Sequence, residues 1–220
     1  ASNAIEKKQY VVESNTVTIK AGERVAKFRM KGVYENIGKT DSLSVTFNLL
    51  AKDENIWDLY GTRTRVQMQK ACPFELSTFE GYCLLTSSFF SAYMTNTEHR
   101  LLQAERDKAE DNTIILHDFF YKNYDLKIKY DPSDPLKPFL EFDEQIIGST
   151  AEAFGTIYGN GKLMCDQPVA YDSYYNVCQK FVILYTTIYV VGKGTVGTYV
   201  NILEWISDEE AEQYKKEEGL

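Results

Sequence analysis

The chain has 220 residues, 44% hydrophobic content and a formal net charge of −8. That is enough apolar material for one sizeable core, and the charge repels polyanions and anionic lipid surfaces. Nucleic acid is therefore not the partner, although 16 Tyr and 12 Phe could stack on bases. Membrane insertion is not expected either, because the apolar run Gln179–Val191 falls short of the about 20 residues that a spanning helix needs.

Ala1–Ala4 contains Ser2-Asn3-Ala4, reads as a remnant of tag removal and is set aside from the fold. With the native start replaced, localisation stays open; secretion is the reading if that start carried a signal peptide. Residues 5–206 read as a single β-barrel-like domain, and 207–220 as a polar C-terminal helix or tail. Tyr10-Val11-Val12 and Val17-Thr18-Ile19 suit strands, as do Ala26, Phe28 and Met30 alternating with Lys27, Arg29 and Lys31. The clearest alternation sets Leu43, Val45, Phe47 and Leu49 against Ser42, Ser44, Thr46 and Asn48. Asp53–Tyr60, with Trp57, reads as an irregular connection, and Thr62–Lys70 as a strand with Arg63, Arg65, Gln67 and Gln69 on its wet side.

Cys72-Pro73 breaks the pattern, and Phe79–Phe90 predicts a strong strand. Residues 96–111 are rich in helix formers and place Arg106 and Glu110 one turn apart, which predicts a mostly exposed, charged helical insert or a charged loop between strands. Thr113–Tyr121 and Tyr124–Tyr130 read as adjacent strands, Asp131–Pro138 as a proline-rich loop, and Phe139–Ile147 as a further strand. Phe154–Tyr158 and Lys162–Cys165 predict a hairpin on Gly159-Asn160-Gly161, followed by a Tyr-rich loop over Asp166–Asn176. Gln179–Val191, made almost wholly of β-branched and aromatic residues, predicts the central strand, covered on both faces. Thr195–Ile206 predicts the last strand, and Ser207 with Glu210 forms the capping box of a terminal helix. The sum is a mainly β fold, an antiparallel β-barrel or alternatively a β-sandwich.

Cys72, Cys83, Cys165 and Cys178 contain no C-x-x-C pair, which argues against a structural zinc site. Four cysteines allow three pairings; Cys72–Cys83 and Cys165–Cys178 would each staple a hairpin-sized loop, while Cys83 inside an apolar strand equally suits a free buried thiol. Gly192-Lys193-Gly194-Thr195-Val196-Gly197 satisfies G-x-G-x-x-G, but strand follows it where a dinucleotide site needs a helix, so it reads as a hairpin turn. No cofactor and no metal are implied.

His117, on a strand with Ile115 and Phe119, is either a packed histidine or a general base in a cavity. His99 falls in the charged insert and reads as solvated. Glu141 and Asp143 share one face about 7 Å apart. Turned inward, one carboxylate would titrate high and serve as acid or base; turned outward, the pair is solvated surface. Tyr158, Tyr185 and Tyr189 could wall a flat lipophilic ligand or fill a core.

Ile147-Gly148-Ser149-Thr150, Phe154-Gly155-Thr156-Ile157-Tyr158-Gly159, Gly161-Lys162-Leu163 and Phe181-Val182-Ile183-Leu184-Tyr185-Thr186 resemble the closing strands of the allene oxide cyclase and dirigent-like β-barrels. The resemblance spans Ile147–Thr186; the Gly-Gly-x-Gly turn of those families is absent, and Cys165–Cys178 is an insertion. It implies an eight-stranded barrel with an apolar cavity for small lipophilic molecules, and no catalytic residue transfers. Two functions follow. One is a barrel binding a small lipophilic or aromatic ligand, with isomerase or cyclase chemistry open to it through His117 and Glu141. The other is a non-catalytic secreted or surface β-sandwich with a binding or structural role.

Overall fold

The computed structural model describes residues 2–50, 61–94, 97–135 and 137–218. The chain divides into two compact units, Ala1–Ala71 and Cys72–Leu220. In the first, β1 (Tyr10–Val12) pairs antiparallel with β2 (Met30–Gly32), and β3 (Leu43–Asn48) with β4 (Arg63–Met68). Leu43 and Val45 are buried on β3, as its alternation predicts, and Phe47 meets Tyr10 edge-on at 6.3 Å. Ser2 and Asn3, set aside above as a remnant, lie along β3: the Asn3 amide donates to the Ser44 carbonyl at 3.0 Å, and Ser2 Oγ accepts from the Thr46 amide at 2.9 Å. The strands expected over Val17–Ile19 and Ala26–Phe28 do not form. Among the described residues those segments have no ladder partner, and Val17, Ile19, Val25 and Phe28 stay exposed. The connection read over Asp53–Tyr60 lies outside the described residues.

The second unit is built on one large antiparallel sheet. Its elements are β5 (Gly81–Ser87), α1 (Ser88–Tyr93), β6 (His99–Arg106), β7 (Thr113–Leu116), β8 (Leu126–Tyr130), β9 (Leu140–Glu141), β10 (Gln145–Ser149), α2 (Thr150–Phe154), β11 (Lys162–Asp166), β12 (Tyr174–Asn176), β13 (Phe181–Val190), β14 (Gly194–Trp205) and α3 (Asp208–Glu218). The sheet runs β10-β11-β13-β14-β5-β6-β7-β8-β9, with β12 also on β13, and curls into a half-barrel. Mainly β architecture with antiparallel pairing is therefore present.

Alternation sets the inner face. Cys83 and Leu85, Leu126, Ile128 and Tyr130, and Val182, Leu184, Thr186, Ile188 and Val190 all point into the core. Rings fill it: Phe79 stacks on Tyr130 at 4.6 Å and meets Trp205 edge-on at 5.0 Å, while Phe89 stacks on Phe120 at 4.7 Å. Burying a large apolar side chain contributes about 1.5–3 kcal/mol, so these rings are major terms in the unit's stability. Asn201 is a buried polar residue on that face, beside Thr186. It accepts from Ser87 Oγ at 2.6 Å and donates to the Leu184 carbonyl and Thr186 Oγ1.

β13 is central, with β11 and β12 on one side and β14 on the other. Its second face is not covered as expected: Phe181, Ile183, Tyr185, Thr187 and Tyr189 are half-buried, because no described element is stacked fully over them. Gly192 and Gly194 turn the β13–β14 hairpin at positive φ, so the G-x-G-x-x-G run starts in a hairpin turn and continues into β14. Ser207 and Glu210 exchange the capping-box hydrogen bonds at the start of α3.

Several local expectations are overturned. Among the described residues 97–111, no helical insert forms: His99–Arg106 is a strand paired on both sides, to β5 and β7. Leu102 and Ala104 point inward with Arg100 while Gln103 and Glu105 point out, and two ladders outweigh a helix propensity of tenths of a kcal/mol per residue. Arg106 accordingly pairs with Glu80 at 2.8 Å. The Phe79–Phe90 strand ends at Ser87, whose Oγ accepts from the Phe89 amide and caps α1. The expected strand at Phe154–Tyr158 does not form: α2, held by a Ser149/Glu152 capping box, ends at Phe154 with Gly155 in the left-handed region, residues 155–158 are irregular, and Lys162–Asp166 pairs with β10 instead. Neither local cysteine staple forms. Cys72 bonds Cys178 with Cα atoms 5.3 Å apart, and Cys83 and Cys165 are buried free thiols whose pKa burial pushes up.

Candidate functional site

His117 follows β7 on the outer face, beside the half-buried Ile115. Phe119, expected on that same face, is fully buried, because Asp118 at φ 54° turns the chain inward. His117 Nδ1 lies 3.0 Å from Asp125 Oδ2 and Nε2 lies 3.5 Å from Glu105 Oε1. Asp125 Oδ1 accepts from the Asp118 amide, so the imidazole ties β6 to the β7–β8 turn. His99 is on β6 rather than on a helix, with Nδ1 2.8 Å from Thr86 Oγ1.

Glu141 is exposed and lines an open groove of about 450 Å³ with Lys127, Lys129, Asp143, Gln145 and Gln167, among others. The groove lies where the sheet's ladder runs out. Lys129 faces Glu141 in register, then the chain leaves β8 over 142–144 and returns at Gln145. There the Gln145 carboxamide replaces a ladder partner: Oε1 accepts from the Lys127 amide at 2.8 Å, and Nε2 donates to the Lys127 carbonyl at 2.9 Å. Lys127 Nζ reaches the buried Asp107 at 2.5 Å, and this hydrogen bond holds the Asp107 carboxyl below its usual range and the Lys127 ammonium above its own. Gln167 Oε1 accepts from the Phe142 amide at 3.4 Å. The wall is thus fixed by side chains that spend their own hydrogen bonds locally.

The structure does not bring His117 and Glu141 together, since His117 is engaged by Glu105 and Asp125 and is not among the residues lining the groove. The three tyrosines also point outward. Tyr158 sits in the loop after α2 and is exposed; Tyr185 stacks on Tyr171 at 5.1 Å. Tyr189 donates to Glu144, and that bond pushes its phenol up to about 12. Sequence reasoning missed Gln145 and Gln167 altogether, because an isolated glutamine carries no pattern. The strand expected over Tyr124–Tyr130 forms as β8, and its exposed Lys127 and Lys129 border the groove, which the sequence pattern did not indicate. Sequence reasoning also missed Arg100, which faces inward at one end of the sheet and donates to the Asp118 carbonyl, near Tyr121, whose ring packs where a side chain on Gly148 would have to go.

The isolated bridge Phe139↔Tyr174 links the segment before β9 to β12, with the Leu140 amide donating to the Ser173 carbonyl and the Tyr175 amide to the Pro138 carbonyl. Compared with known proteins, residues 59–217 match the family model described as "Domain of unknown function (DUF4984)". No curated protein and no solved structure matches the chain.

Proposed function

The chain belongs to the DUF4984 family, and we propose that this member is a non-catalytic recognition module working outside the cytoplasm, with its ligand in the polar groove between β8 and the 142–145 segment. The observation that carries this reading is the contrast between the two sides of the curled sheet. The inner side is packed with rings and aliphatic chains of near-zero exposure, while the groove beside it is open and polar. The Cys72–Cys178 bond supports the compartment, since such cross-links persist in oxidising surroundings. In the same reading the sheet closes as a barrel, through the Phe139↔Tyr174 bridge and the Gln145 clamp. The lipophilic-cavity reading, with isomerase or cyclase chemistry, has less support: its candidate residues sit apart on the outside.

Titrating the folded protein with the lipophilic dye anilinonaphthalene sulfonate tests the contrast. The module should show no saturable uptake; one dye per chain, lost on denaturation, would return the ligand to the interior.

A further inference from the structure

We infer that the groove takes a neutral, hydroxyl-rich ligand of the saccharide type. This rests on the recognition reading above and supplies its ligand class. Lys127, Gln145 and the Gln167 carbonyl oxygen are committed to Asp107, to the Lys127 backbone and to the Phe142 amide, so they shape the wall without competing for a ligand. Lys129 and Glu141 stand opposite one another in the ladder, yet among the described residues no ion pair joins them. An ammonium that only donates therefore faces a carboxylate that only accepts. A hydroxyl does both, and vicinal hydroxyls can bridge the two.

Other ligand classes fit less well. With Lys127 balanced by Asp107, Lys129 remains against Glu110, Glu141 and Asp143, which repels phosphates and carboxylates. Phe142 is the one apolar side chain of the lining and is itself nearly buried, so a lipid finds no wall. Among the described residues no group of three His, Cys, Asp or Glu is placed to hold a metal ion. The volume, about 450 Å³, lies within the range of small-molecule sites, roughly 300–1,000 Å³.

The test is a titration of the ¹⁵N-labelled full chain with methyl β-cellobioside, methyl α-maltoside and N-acetylglucosamine, beside putrescine and inorganic phosphate. At least one sugar should shift the Lys129, Glu141 and Gln167 amides saturably. Glu141→Gln and Lys129→Met, both at exposed positions, should each weaken that sugar about tenfold, the loss of one charge-assisted hydrogen bond, with the rest of the spectrum unchanged. Saturable shifts with putrescine or phosphate alone, or none with any sugar, overturn the inference. Dye uptake into the interior would instead bring down the recognition reading itself, so the two failures are distinguishable.

Discussion

Replacing Cys72 and Cys178 together by serine removes a cross-link between positions 106 residues apart. In the chain-entropy account, a loop of that length withdraws about 2.1 + 1.5R ln n, or about 16 cal/mol/K, from the unfolded ensemble. At 25 °C this is about 4.8 kcal/mol of stability. For a chain of this size, at about 2–4 °C per kcal/mol, the melting temperature should fall by about 10–19 °C. Cys83 and Cys165 stay in place, so the variant isolates the cross-link from core packing. Urea unfolding followed by circular dichroism measures the loss, and reductant added to the parent protein should reproduce most of it. A double variant within about 1 kcal/mol of the parent would refute the reasoning, because a cross-link spanning half the chain cannot be nearly silent if it constrains the unfolded state.

Gly148→Ala should cost about 1–3 kcal/mol, because its Cβ would lie 2.5 Å from Tyr121 Cδ2 and the ring must move; a neutral result in urea would show that the ring is not held there. Asn201→Leu should destabilise by about 2–4 kcal/mol, since it strips the buried Leu184 carbonyl and Thr186 hydroxyl of their donor, again read from urea midpoints. Ser149→Ala should remove about 1 kcal/mol with the capping box of α2, and hydrogen exchange in Thr150–Phe154 should quicken. Tyr121, Tyr175 and Tyr189 are each pushed from 10.0 up to about 12, Tyr121 and Tyr175 chiefly by burial and Tyr189 by its bond to Glu144. Raised folded-state values stabilise below pH 10 and lose that contribution as pH climbs toward 12, so phenolate absorbance should develop late and together with unfolding. Normal tyrosinate titration in the folded protein would contradict this.

The strands were legible where alternation ran long. Leu126, Ile128 and Tyr130 against Lys127 and Lys129 define β8, and the β-branched run through Tyr185 defines β13. Legibility failed where a partner decides the outcome. His99–Arg106 carries helix formers and becomes a strand because β5 and β7 flank it; Val17–Ile19 carries strand formers and stays irregular because none of the described residues pairs with it. The cysteines show the same limit: spacing suggested short loops, but topology brings Cys72 to Cys178 and buries Cys83 and Cys165 on separate strands. Of the candidate site, Glu141 was found by its acidic neighbours. The groove around it depends on where the ladder ends and a glutamine takes over, which no one-dimensional pattern encodes.

The reading stands or falls on whether the chain operates in oxidising surroundings with its cross-link made. Protein recovered from its native compartment under thiol-trapping conditions, denatured without reductant and alkylated, should carry two adducts per chain by intact mass, on Cys83 and Cys165. Four adducts would mean that Cys72 and Cys178 are reduced where the protein works, and the extracytoplasmic account would be wrong.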